Sequence, residues 1–185
     1  RYYQNGILQD IRKAFQNIVE RYQFNSAIEI GFGPGIDLEY FSKKYQERSF
    51  FGIDISSEMT AITQHKIVTN NLKNCSVKQG SVEDIKVLFP DQTFDMVYVF
   101  FGALNTVEDL DKVVDDLSQV GHQDTTYVLT FVNKYYLLGS LLFLLKGQFK
   151  MAFKRFKKKW GGYSNEKFLE SQCYSFKDIK KTFGK

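Results

Sequence analysis

Apolar side chains at Ile7, Leu8, Ile11, Phe15, Ile18, Val19 and Tyr22 recur every three or four residues, with polar and charged residues between them. That period predicts an amphipathic helix over residues 4–23. The pattern then changes. AIEI (27–30), SFFGIDI (49–55), the weaker CSVKQG (75–80), TFDMVYVF (93–100) and TTYVLTFV (125–132) are short, apolar-rich runs. They predict five strands. Helical spacing returns between them, in IDLEYFSKKY, in MTAITQHKIVTNNL and in the face made by Val107, Leu110, Val113, Val114, Leu117 and Val120. Ser56 or Ser57 is placed to cap the second of these helices, and Gly121 suits the position just past the end of the third. Near-continuous apolar strands that alternate with helices predict a parallel sheet covered on both faces. The expected fold is a doubly wound, Rossmann-like α/β sheet flanked by helices.

The last third reads differently. Leu138, Leu142, Leu145, Phe149, Phe153, Phe156 and Trp160 form one apolar stripe. Lys146, Lys150, Lys154 and Lys157 form a basic one beside it, joined by Arg155, Lys158 and Lys159, and no acid occurs between 134 and 160. The spacing predicts one long basic, aromatic helix across this stretch. It has three readings: a cap over a substrate pocket, a helix lying on an anionic membrane (over 142–160), or a basic patch for RNA. The loop GGYSN, an extended KFLESQCYS and a short helix SFKDIKKTF complete the chain. We read residues 1–185 as one domain: an N-terminal helix (1–24), a core (25–132), a cap (133–165) and the start of a C-terminal segment (166–185).

Composition narrows the classes. A 185-residue chain that is 43% apolar and 25% charged is of a size and balance for one globular domain. A net charge of +4 is too mild to argue for nucleic acid. Cys75 and Cys173 lie far apart with no CxxC spacing, so neither a disulfide framework nor a metal site is expected. The longest apolar run, YYLLGSLLFLL, is too short to span a bilayer, and RYYQNGILQD has no apolar signal-peptide core. The expected setting is cytoplasmic, with peripheral membrane contact through the basic helix as one of its three readings.

The chemistry concentrates at GFGPG, directly after the first strand. Gly31 lets the chain turn, and Gly33 and Gly35 are expected to clear room for a ligand at the helix N-terminus. Asp54 ends the next strand, 23 residues after Gly31. A carboxylate there accepts hydrogen bonds from the two hydroxyls of a ribose. Two departures argue against a dinucleotide. The position where G-x-G-x-x-G needs its third glycine is Ile36, and Glu29 lies two residues before the turn. A carboxylate repels a pyrophosphate and attracts an ammonium group. S-adenosylmethionine fits those demands; NAD does not.

The motifs resemble those of the class I S-adenosylmethionine-dependent methyltransferases. E-I-G-F-G-P-G (29–35) is similar to their first motif and G-I-D-I-S-S-E-M (52–59) to their second. Q-G-S-V-E-D-I (79–85) is similar to the third. F-D-M-V-Y-V-F-F-G-A-L-N (94–105) is similar to the fourth, in the form found in quinone-biosynthesis methyltransferases. The resemblance implies roles. Glu29 faces the methionine amino group, and Gly31, Phe32, Gly33 and Gly35 pass backbone along the ligand. Asp54 holds the ribose, Ile55 and Met59 pack on adenine, and Val82 offers its N–H to the ring. Ser81 stands where the family often has Asp, so the adenine amino group falls to Ser81 or to Asp84. Phe100, Phe101 and Gly102 lie beneath the sulfonium. Gly102, Asn105, Tyr135 and Tyr136 are assigned to the acceptor side. The family usually ends its sheet on an antiparallel pair, and those closing strands are missing from this sequence.

The implied reaction is methyl transfer from S-adenosylmethionine, leaving S-adenosylhomocysteine, to a small apolar or aromatic acceptor, with no metal. Asn105 is the one candidate for positioning the acceptor, and a helix cap is its alternative role. His65, His122, Asp37 and Glu39 read as surface groups, and no general base is assigned. An RNA or protein methyltransferase is a rival, although F-F-G-A stands where base- and glutamine-methylating enzymes carry an N-P-P-Y-like tetrad. A non-catalytic adenosine-binding domain is a second rival.

Overall fold

The computed structural model describes residues 5–156 and 171–184. Its elements, in chain order, are α1 (Gly6–Val19), β1 (Ser26–Ile30), α2 (Ile36–Lys44), β2 (Ser49–Asp54), α3 (Ser57–Thr69), β3 (Cys75–Gln79), α4 (Ile85–Leu88), β4 (Met96–Val99), α5 (Leu110–Ser118), β5 (Thr126–Leu129), α6 (Leu137–Leu145), α7 (Phe149–Ala152) and α8 (Phe176–Phe183). The chain divides into two compact units. One comprises residues 1–100 and 115–129, the other 101–114 and 130–185.

The first unit holds the sheet. Its order is β3-β2-β1-β4-β5 and every pairing is parallel, the doubly wound arrangement expected from the pattern. The order reverses between β1 and β4, which puts the ligand-binding end at the carboxyl ends of those strands. Consecutive Phe50 and Phe51 point to opposite faces of β2 and seed a cluster on each. Phe50 stacks on Phe41 and meets Phe24 edge-on, while Phe51 packs with Phe89 and Phe94. Coverage of both faces holds for the central strands: every residue of β4 is buried, and all of β1 after Ser26. It does not hold at the edges. No residue of β5 is fully buried, and β3 buries only Cys75 and Val77. An apolar run in an edge strand looks the same in sequence as one in the middle of a sheet.

The first helix corrects the predicted stripe. The side turned inward is Arg12, Phe15, Gln16 and Val19, while Ile7, Ile11, Ile18 and Tyr22 are exposed, Ile7 by 72%. The reason lies on α2. Asp37, read from sequence as a surface group, is 1% exposed. It is ion-paired with Arg12 and accepts from Gln16 Nε2 at 2.8 Å. Leaving a buried carboxylate unpaired costs several kcal/mol, more than partial exposure of a few aliphatic side chains. The helix therefore rotates to serve the carboxylate.

The second unit corrects the long basic helix. Its helix α6 stops at Leu145, and Gly147 (φ +68°) turns the chain. The N–H of Gln148 reaches the Phe143 carbonyl and that of Gly147 the Leu144 carbonyl, the paired bonds of a Schellman ending. Among the described residues up to Phe156, the single turn of α7 and a short 3₁₀ segment at Lys154–Phe156 follow. The part of the predicted helix over 157–160 lies outside the described residues. The closing helix α8 is as expected, with Ser175 and Asp178 forming a capping box.

Replacing Asp37 by Ala strands Arg12 and Gln16 and should cost on the order of 3 kcal/mol. Urea denaturation checks this, and α1 should become the first segment cut by protease. Asp37→Asn, which keeps the bond from Gln16 within reach, should lose less.

Candidate cofactor site

Four strands deliver the sequence-predicted residues to one end of the first unit. The turn after β1 is pinned to β2 by the Gly31 N–H, which donates to the Ile53 carbonyl at 2.7 Å. Asp54 then closes the turn. One carboxylate oxygen accepts from the Gly33 N–H at 2.7 Å and the other from the Ser56 N–H at 2.9 Å. Each oxygen so engaged keeps a second lone-pair direction, enough for two further donors. Ser56 also caps α3, so one dipeptide step aims the carboxylate and starts the helix.

The glycines have separate reasons. Gly33 has φ +54°, and a Cβ there would meet nothing within 4 Å: the space above the turn is open. Gly35 also has positive φ, but a Cβ on it would lie 2.4 Å from Thr63 Cγ2. Thr63, buried on α3, donates to the Gly33 carbonyl at 3.2 Å. Gly35 thus makes room for a neighbouring helix, where the sequence suggested room for a ligand. The Phe32 side chain is buried in the core, so only its backbone borders the turn.

Glu29 is 2% exposed and accepts from the Tyr98 hydroxyl at 3.3 Å, across the β1–β4 pair in which the two residues are partners. Burial pushes its carboxyl from the ordinary 4.5 up to about 8, against the opposing pull of Arg12, the Tyr98 hydroxyl and the Leu38 N–H. The Asp54 charge adds to the rise. Arg12 is committed in direct contact to Asp37, so Glu29 lacks a full counter-charge. An ammonium group set down beside it would supply one.

The adenine end is mixed. Ile55 is 41% exposed and Met59 half-buried, both just after Asp54. Gly80 donates its N–H to the Asp54 carbonyl, so the start of the third motif abuts the second. Ser81, however, gives both its N–H and its hydroxyl to Asp84 Oδ2, at 2.8 and 2.9 Å. The two candidates for the adenine amino group are therefore bonded to each other, and Val82 is buried behind them. At the end of β4, Phe100 is buried against Tyr98 and against Phe15 of α1.

The remaining candidates belong to the second unit. Phe101 and Gly102 both take positive φ, +55° and +72°, an uncommon state for phenylalanine. Asn105 is 1% exposed, and its amide is spent on backbone. It accepts from the Val132 N–H at 2.8 Å and donates to the Gln172 carbonyl at 2.5 Å. Tyr135 packs on Phe156, and Tyr136 lies under the Arg155 guanidinium. Of the two histidines, His65 lies within hydrogen-bond reach of Thr69 on the surface of α3, and His122 pairs with Asp95 at the amino-terminal end of the strands. Glu39 pairs with Lys43 and Lys66. Arg12, Gln16, Thr63 and Tyr98 escaped the sequence reading. A usable signal existed for the first two, which fall in line with Phe15 and Val19 on the helical wheel.

A family model described as a methyltransferase domain matches residues 27–123. The chain is a class I S-adenosylmethionine-dependent methyltransferase by family. The chain is 28% identical, over 158 residues, to an uncharacterized protein of Methanocaldococcus jannaschii, covering 83% of this chain and 57% of that one. It is 35% identical over 75 residues to a tRNA (guanine-N(7)-)-methyltransferase of Thermotoga maritima, covering 40% of this chain and 24% of that one. The chain therefore spans little more than half of the first relative and a quarter of the second. Among solved structures, the YcgJ protein of Bacillus subtilis superposes with TM-score 0.66 at 17% identity, covering 94% of this chain and 67% of that one. Coclaurine N-methyltransferase, bound to N-methylheliamine and SAH, superposes with TM-score 0.59 at 16% identity, covering 71% and 39%. At such identities these two structures establish the fold.

Gly35→Ala should destabilise the methyltransferase by both strain and the collision with Thr63, and Gly33→Ala by strain alone, about 1–2 kcal/mol. Thermal melts of the two variants check the order. The pH dependence of stability follows from Glu29. The unfolded chain releases this proton near 4.5, while the folded chain holds it to about 8. Stability should therefore fall as pH rises through that window. Glu29→Gln should flatten the fall in urea midpoints measured across it.

Proposed function

We propose that this methyltransferase binds S-adenosylmethionine at the glycine turn and transfers its methyl group in line to a small apolar or aromatic acceptor. The observation that carries the reading is the Asp54 carboxylate, held by the Gly33 and Ser56 N–H groups beside open space, with acceptor capacity left for two ribose hydroxyls. The cofactor supplies a methyl group already activated by a positive sulfur. The chain then has to align rather than activate, and alignment is worth on the order of 7–11 kcal/mol. Glu29 meets the ammonium end and ionises there, which relieves its own unpaired burial. Gly33 lets the ligand lie against backbone, and Ile55 and Met59 offer apolar cover for a base.

An apolar or aromatic acceptor is supported by residue content: Phe100 and Phe101 follow β4, and Tyr135 and Tyr136 are half-exposed. A tRNA acceptor is the second reading, favoured by the relatives that bear that name. Those matches cover 40% of this chain, too little to select the acceptor.

Titration calorimetry tests the cofactor. S-adenosylmethionine should bind and NAD should not; the reverse would sink the reading. Asp54→Asn should weaken binding by about tenfold or more. At pH near 7 the wild type should release a proton on binding, visible as a buffer-dependent heat, and Glu29→Gln should not. Transfer of labelled methyl into solvent-extractable aromatic compounds, with none into bulk tRNA, is the expected result for the acceptor.

A further inference from the structure

The second unit carries an apolar surface that the methyl-transfer reading does not use. Leu137, Leu138, Leu141, Leu142 and Leu145 of α6 are each half to three-quarters exposed. At about 100° per residue they fall within an arc of about 140° on one side of the helix. The opposite side carries Gly139, Ser140 and Phe143. It is the packed side: Gly139 is buried against Tyr136, and the Ser140 hydroxyl donates to the Ala152 carbonyl of α7 at 2.8 Å. The exposure continues past the Gly147 turn through Phe149, Met151 and Phe153. A soluble surface seldom gathers so many large apolar side chains without a use for them.

Charge says what the use is. Lys146 and Lys150 stand exposed at the junction of α6 and α7, and no acidic residue occurs from Lys134 to Asn165, against eight lysines and arginines. An apolar face with Lys146 and Lys150 beside it, in a segment without acids, is complementary to hydrocarbon beneath a negatively charged surface. The depth is limited. With nine residues α6 is about 14 Å long, under half of a bilayer core, and no described helix is long and apolar enough to cross a membrane.

We propose that α6 and α7 form a docking element for an anionic lipid surface. The leucines enter the acyl boundary, and Lys146 and Lys150 meet the headgroups. The proposal is independent of the reaction, because docking is read without cofactor or acceptor.

Co-sedimentation of the full chain with vesicles tests it. About three parts phosphatidylcholine to one part phosphatidylserine should pull the protein down, and pure phosphatidylcholine should do so far less. Leu138→Glu with Leu142→Glu should weaken binding by at least about tenfold at unchanged circular dichroism. Lys146→Glu with Lys150→Glu should weaken it comparably on the anionic vesicles and raise no binding to neutral ones. The proposal falls if the wild type sediments with neither vesicle, or if the leucine variant sediments like the wild type. It also falls if the wild type ignores vesicles and is a dimer that the leucine changes convert to monomer, since the face then joins two copies. Equal loss of RNA binding in the lysine variant, without vesicle binding by the wild type, would overturn it in favour of a nucleic-acid surface.

Discussion

Asp54 is one carboxylate tied to two segments of backbone. Through the Gly33 N–H it holds the turn after β1, and through the Ser56 N–H it starts α3. The turn needs that anchor, since three glycines with positive φ have no side chains of their own to fix them. In the proposed function the same carboxylate takes the ribose hydroxyls. Its position is set before a ligand arrives, so binding need not order the turn. Thr63 reinforces the arrangement from α3 by bonding the Gly33 carbonyl and filling the space that Gly35 leaves.

A second constraint lies beneath the first. Glu29 and Asp37 are both buried, and Arg12 acts on each while touching Asp37. The Asp37 contact decides which side of α1 faces the sheet. Burial, only partly offset by Arg12, pushes the Glu29 carboxyl up to about 8. A fully compensated glutamate would gain little from an incoming ammonium. In the proposed function an incoming ammonium offsets the burial of Glu29, which favours an amine-bearing ligand.

The two units differ in what they ask of their apolar residues. In the first, Phe24, Phe41, Phe50 and Tyr98 interlock on one face of the sheet, with Phe51, Phe89 and Phe94 on the other. In the second, buried Asn105 ties its own segment to Val132 and Gln172 by backbone bonds, while α6 leaves its leucines outside. Asn105 acts there as a clamp on backbone.

Local chemistry was readable from the chain alone wherever it is set by spacing and backbone demand. Strand–turn–helix alternation, the Ser56 cap and the family itself all follow from order and residue type. Other features depend on partners distant in sequence. Burial of Asp37, 25 residues from Arg12, rotated α1 away from its apolar stripe. Thr63, 28 residues beyond Gly35, gave that glycine its reason. Ser81 and Asp84 are bonded to each other, a pairing that motif order alone did not show. The break at Gly147 was the reverse case: periodicity carried the pattern through it, but a glycine with positive φ ends a helix by its own backbone bonds. Periodicity records which residues are able to share a face. Which face is buried depends on the charges and volumes that folding sets against it.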